Sequence, residues 1–168
     1  MPDQEISLLK QREIEARIVG PLYRAFAEEL GAARAREIIA GVIRELARQS
    51  GCDAARRVGG NDLAHFARAK ERWQQDEALV IETLHEDDRR LDFNVTRCRY
   101  AEMYRALGLA DLGGVLSCGR DGSMSEGFNP RLHLTRTQTI MEGASHCDFR
   151  YRLEDDASPA KEKRAGDL

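Results

Sequence analysis

Between Ile6 and Leu30 the apolar residues Leu8, Leu9, Ile14, Ile18, Leu22, Phe26 and Leu30 recur at helical spacing. The pattern predicts an amphipathic helix, and Pro21 is expected to kink or split it, because proline lacks the N–H that a helix interior needs. A second helix is predicted over 33–47, where Ile38, Ile39, Val42, Ile43 and Leu46 form one stripe and Ser50-Gly51 ends it. Gly59-Gly60-Asn61-Asp62 reads as a turn closing on a helix N-cap, ahead of Leu63, Phe66 and Trp73.

The period then changes. Ala78-Leu79-Val80-Ile81 is a short apolar run, and Leu91, Phe93 and Val95 alternate with Asp92, Asn94 and Thr96, so two strands are expected across the polar His85–Arg90 turn. From Tyr100 to Cys118 the helical pattern returns in two pieces broken near Gly108. Residues 132–141 and 147–153 are rich in Thr, Ile, Phe and Tyr, and Glu142-Gly143-Ala144-Ser145 has turn chemistry, which predicts an antiparallel hairpin. Helices first and strands later give an α+β fold, with N-terminal helices on a small antiparallel sheet. One domain is expected over 1–153. The segment 154–168 is charged and poor in large apolar residues, and reads as a flexible tail.

A chain of 168 residues needs only one core. Its 26 basic and 29 acidic residues are interleaved, so no basic face for nucleic acid is expected. The start lacks the basic-then-apolar order of a secretory signal, and no window approaches the ~18 apolar residues of a membrane span. The cytoplasm is therefore the expected compartment. Cys52, Cys98, Cys118 and Cys147 are widely spaced, and a domain of this size does not need disulfides, so free thiols are expected.

Cys118-Gly-Arg-Asp121 sets a thiol and a carboxylate three residues apart, which on a helical turn brings both to one side. Such a pair suits nucleophilic or acid–base work; a buried packing cysteine followed by a turn residue is the other account. In the last strand Cys147, Phe149, Tyr151 and Leu153 share one face, and Asp148, Arg150 and Arg152 the other. Cys147 therefore points into the apolar layer, as a core residue or as a thiol lining a pocket that Cys98 and Cys118 also reach. Three cysteines and His146 are enough in number for zinc, but the short paired spacing of zinc sites is missing, so neither metal nor cofactor is expected. Arg136, read as part of a strand, can present its planar fork to a ligand carboxylate or pair with Asp148 or Glu142. Asn94 and Asp148, on polar strand faces, are further ligand-binding candidates. Phosphate-loop, zinc-protease and serine-hydrolase motifs do not occur.

The stretch Phe93–Tyr104, then Leu116–Asp121, Gly127–Pro130, Leu134–Ile140 and Gly143–Arg150, resembles the L-2-amino-thiazoline-4-carboxylic acid hydrolase family in block order and spacing. The resemblance implies a hydrolase that opens a small cyclic amidine to an N-carbamoyl product, a step in a bacterial route to cysteine. It places Cys118 or Cys147 as nucleophile or proton relay, Asp121 as acid–base partner, Cys98 at the pocket wall and Arg136 at the substrate carboxylate. The Gly122–Glu126 stretch reads as a loop more polar than the family leads one to expect. The alternatives are a small-molecule sensor without turnover, and a structural subunit whose N-terminal helices pair with a second copy.

Overall fold

The computed structural model describes residues 6–155, so most of the expected tail lies outside the described residues. The first helix, α1 (Leu8–Leu30), starts where the Ser7 hydroxyl accepts the Lys10 N–H and runs unbroken through Pro21. It is neither split nor ended there. Gly31, at φ +83°, turns the chain directly into α2 (Ala32–Val58).

The second helix does not stop at Ser50-Gly51 but continues to Gly59, whose left-handed backbone gives the helix its end. The reason is packing: a Cβ on Gly51 would lie 2.1 Å from the Met124 carbonyl oxygen, and one on Gly127 would lie 2.0 Å from that of Arg48. Gly51 is thus a contact surface against a third helix, and the contact has no room for a side chain. Asp62 caps α3 (Leu63–Lys70) by accepting the His65 N–H, as expected.

Strands β1 (Leu79–Glu86) and β2 (Arg90–Cys98) form the expected hairpin, and α4 (Arg99–Ala106) and α5 (Ala110–Leu116) are separated at Gly108, φ +67°. The supposed polar loop after Asp121 is instead α6 (Asp121–Phe128), whose Gly127 fits it against α2. The expected C-terminal hairpin is shorter on one arm. β3 (Leu132–Thr135) pairs antiparallel with β4 (Cys147–Leu153), but residues 136–139 leave the sheet and 140–142 form one 3-10 turn. The sheet order is β1-β2-β4-β3, antiparallel throughout, so the molecule is α+β with helices N-terminal and strands C-terminal.

Two apolar clusters fill the interior. One joins Tyr23, Ile39, Ile43, Tyr104, Leu112 and Leu116 between the helices. The other stacks Phe66, Phe93, Phe149 and Tyr151 on the sheet, with Phe93 and Phe149 paired in register and their rings 4.9 Å apart. Cys98 packs against both clusters.

Candidate active site

The sheet and the helices line a cavity of about 100 Å³. Its walls draw on both sides: Val95, Cys147 and Phe149 from the strands, Cys98 from the β2–α4 junction, Cys118, Asp121 and Met124 from the α5–α6 corner, and Leu8 and Arg12 from α1. Cys98 caps α4, its sulfur accepting the Ala101 N–H at 3.4 Å. Cys147 opens β4 on the inward face and accepts the Ile140 N–H at 3.2 Å. Cys118 begins a single 3-10 turn over 118–120, and Asp121 follows as the first residue of α6, donating its N–H to the Cys118 carbonyl. The three-residue spacing therefore brings this thiol and this carboxylate to one wall.

Arg136 reaches the same cavity by a different route from the one its sequence suggests. It lies just beyond β3 rather than in a strand. Its guanidinium pairs with the Asp121 carboxylate, donates to the Cys118 carbonyl at 3.1 Å and lies 5.1 Å from the centre of the Phe149 ring. Neither Asp148 nor Glu142 is its partner. Asp148 accepts from Thr137 and Gln138, and Asn94 accepts from Arg150. Asn94 and Asp148 face each other across β2 and β4 on the side of the sheet opposite the cavity, so the structure does not bring them to the other candidates. Cys52 is exposed, with its thiol on the Gly127 carbonyl. Among the described residues no group of three or more His, Cys, Asp or Glu is arranged to hold a metal ion.

Burial sets the protonation states. It pushes the Cys98 thiol up to about 11 and the Cys118 thiol up to about 12, where the Asp121 charge adds to the shift, and it raises Cys147 as well. All three sulfurs are therefore neutral thiols near pH 7. Burial also moves the Asp121 carboxyl above the usual carboxylate range, with Arg136, Arg12 and Arg120 opposing that shift. For Arg136, burial works against the cation, yet the adjacent Asp121 holds its pKa above the ordinary value. Asp121 keeps 23% of its side-chain surface accessible, and among the described residues it is the one carboxylate on the cavity wall.

Two cavity residues were not legible as site residues. Arg12 and Arg120 are each only 8% exposed and share the Glu15 carboxylate, at 2.8 Å and 3.0 Å. Arg120 stands inside the Cys118–Asp121 block, and Arg12 heads the small-residue face Arg12, Ala16, Gly20 and Tyr23 that α1 buries. The i, i+4, i+8 placement of that face was the available signal.

These features define an α+β domain built around a small, thiol-lined cavity with the half-buried Asp121 carboxylate on its wall. The chain belongs to the L-2-amino-thiazoline-4-carboxylic acid hydrolase family, whose sequence profile matches residues 11–151. None of the curated proteins matches it. Among solved structures, the phenol-responsive sensory domain of the transcription activator PoxR, bound to phenol, shares the fold at TM-score 0.53 and 14% identity. That likeness covers 81% of this chain and 73% of the other. A trafficking protein particle complex subunit 3 from Naegleria fowleri, covalently bound to palmitic acid, matches at TM-score 0.53 and 10% identity over 86% of this chain and 96% of its own. Identities this low establish the shared fold alone. Among the described residues no helix is long and apolar enough to cross a membrane.

Proposed function

We propose that the cavity hydrolyses a small cyclic amidine of the 2-amino-thiazoline-4-carboxylate kind, with Asp121 as the acid–base group. The observation that carries this reading is the half-buried Asp121 carboxylate beside neutral thiols on the wall of a small cavity. Asp121 takes a proton from water as the water oxygen bonds to the ring carbon between nitrogen and sulfur, and passes it to the ring nitrogen, which receives the C=N electron pair. The hydroxyl of that adduct then loses its proton to Asp121 as the carbonyl forms and the carbon–sulfur bond breaks, and the departing sulfur takes this second proton from the Asp121 carboxyl, directly or through the Cys118 thiol. One water is added and an N-carbamoyl-cysteine results. Protonated thiols favour Cys118 and Cys147 as relays and wall groups over nucleophiles, because the thiolate is the attacking form.

A panel of cyclic amidines, ureas and lactams, followed by mass for the gain of one water, tests this. Turnover of any member that disappears in a folded Asp121→Asn variant supports the hydrolase. Binding without mass change across the panel would instead favour a sensor, the reading that the shared fold with a phenol-responsive domain supports.

We further propose that a second copy of the chain covers the outer face of α1 and α2. Ile14, Ile18, Leu22, Phe26 and Leu30 on α1, and Ile38, Val42 and Leu46 on α2, are 38–60% exposed. Together they present on the order of 800 Å² of apolar surface, the share of one partner in an interface of standard size. Charges beside them are paired within the helices as Glu13–Arg17, Arg34–Glu37 and Glu45–Arg48.

A further inference from the structure

The cavity carries more positive than negative charge. Arg12, Arg120 and Arg136 line it, against Asp121 on the wall and Glu15 behind it. The three guanidiniums are not equivalent. Arg136 is held by Asp121, the Cys118 carbonyl and the Phe149 ring. Arg12 uses only Nη1, on Glu15, while Arg120 uses Nε on the Leu116 carbonyl at 2.7 Å and Nη2 on Glu15. Arg12 Nε and Nη2 and Arg120 Nη1 have no hydrogen-bond partner among the described residues; the side chains are about nine-tenths covered, but none of these three atoms is itself buried without a partner, so the donors stay accessible. Glu15 itself is a third exposed, so it offsets the two cations only in part.

Largely covered guanidinium groups that keep accessible N–H donors at a cavity wall are suited to meet an anion. Two forks held at a fixed separation by one carboxylate match the planar, two-oxygen geometry of another. From this we infer that Arg12 and Arg120, rather than Arg136, recognise the carboxylate of a small cyclic acid bound in the cavity. The inference rests on the proposed function for the ring system and adds the residues that select the acid over its neutral analogue. It leaves Arg136 to position Asp121. The opposition of burial and of the neighbouring Arg12 charge to the Arg120 cation agrees with a site that gains from an incoming anion.

Calorimetric titration of the full chain with 2-amino-thiazoline-4-carboxylate and with 2-amino-thiazoline lacking the acid tests it. The wild type should bind the acid roughly 10- to 100-fold more tightly, as expected for charge-assisted hydrogen bonds. Arg120→Gln and Arg12→Gln should lose that preference while binding the neutral ring unchanged, whereas Arg136→Gln should keep it. Glu15→Gln supplies a variant with the opposite sign: with both forks released, the acid should bind a few-fold more tightly and the neutral ring as before. A purely structural role for the pair would weaken both probes together. Equal affinity of the wild type for the two probes, whether both bind or neither does, overturns the inference, as does a preference that survives in both arginine variants. Because the readout is binding, an acid preference without turnover would sink the hydrolase reading and leave this one standing; turnover without the preference would do the reverse.

Discussion

The inner and outer faces of α1 exchange the roles that hydropathy assigns them. The inner face buries Arg12, Ala16, Gly20 and Tyr23, while the outer face exposes Ile14, Ile18, Leu22, Phe26 and Leu30. In α2 the single predicted stripe divides, with Ile39 and Ile43 inside and Ile38, Val42 and Leu46 outside. The contrast teaches that burial in this hairpin follows size and charge partnership. Small residues admit Leu109, which lies where a Cβ on Gly20 would go, and a cation is tolerated inside because Glu15 and the cavity receive it. Large apolar residues are left exposed on the outer face.

Substitutions on the two faces should separate cleanly. The largest expected effect is on the inner side: Asp121→Asn should lower turnover by roughly 10²- to 10⁴-fold, the usual worth of a positioned acid–base group, with the circular dichroism of the wild type retained. Gly51→Val forces a side chain into the α2–α6 contact and should destabilise by about 3 kcal/mol or more, read as a lowered urea midpoint. On the outer side, Ile18→Glu with Val42→Glu should leave the folded monomer nearly as stable and shift sedimentation from dimer to monomer; a wild type that sediments as a monomer at micromolar concentration would remove the outer-face proposal. Cysteine alkylation near pH 7 should be fast at exposed Cys52 and slower by about 100-fold or more at Cys98, Cys118 and Cys147, where burial suppresses the thiolate. Quick labelling of Cys118 would restore it as a nucleophile.

The smallest expected effect is in pH. Asp92, 2% exposed between Arg90 and Arg152, and Asp148, held by Thr137 and Gln138, both have lowered pKa values despite burial. A depressed folded value means that their stabilisation is complete above the ordinary carboxylate range and is lost as pH falls through the folded values. Asp121 has the opposite sign: its raised folded value makes its ionisation cost stability as pH rises out of the ordinary range, and turnover should climb over that same rise as the carboxylate forms. Urea midpoints measured against pH in the wild type, Asp92→Asn and Asp121→Asn separate the two.

Much of the fold was readable because local chemistry and tertiary packing agree there. Period-two alternation in Leu91–Val95, the Asp62 cap and the break at Gly108 each have a local cause, and each occurs where the sequence implies. Two of the misreadings share one origin. Gly51 and the Gly122–Glu126 stretch carry local signals for a break or a loop, yet helix-to-helix contact overrides them, while the helix runs through Pro21 at an exposed position. At the site, the Cys118–Asp121 spacing and the inward face of Cys147 were legible from periodicity. The partner of Arg136 was not, since its contact with Asp121 depends on residues 136–139 leaving the sheet. Arg12 was hidden by distance along the chain and by an apolar stripe that drew attention to the wrong face of its helix.

The most direct test is a side-by-side assay of wild type, Asp121→Asn and Ile18→Glu with 2-amino-thiazoline-4-carboxylate, read by mass as the gain of one water. Equal conversion by wild type and Ile18→Glu, with none by a folded Asp121→Asn, is the predicted result. Conversion at the same rate by all three, or by none, would contradict it.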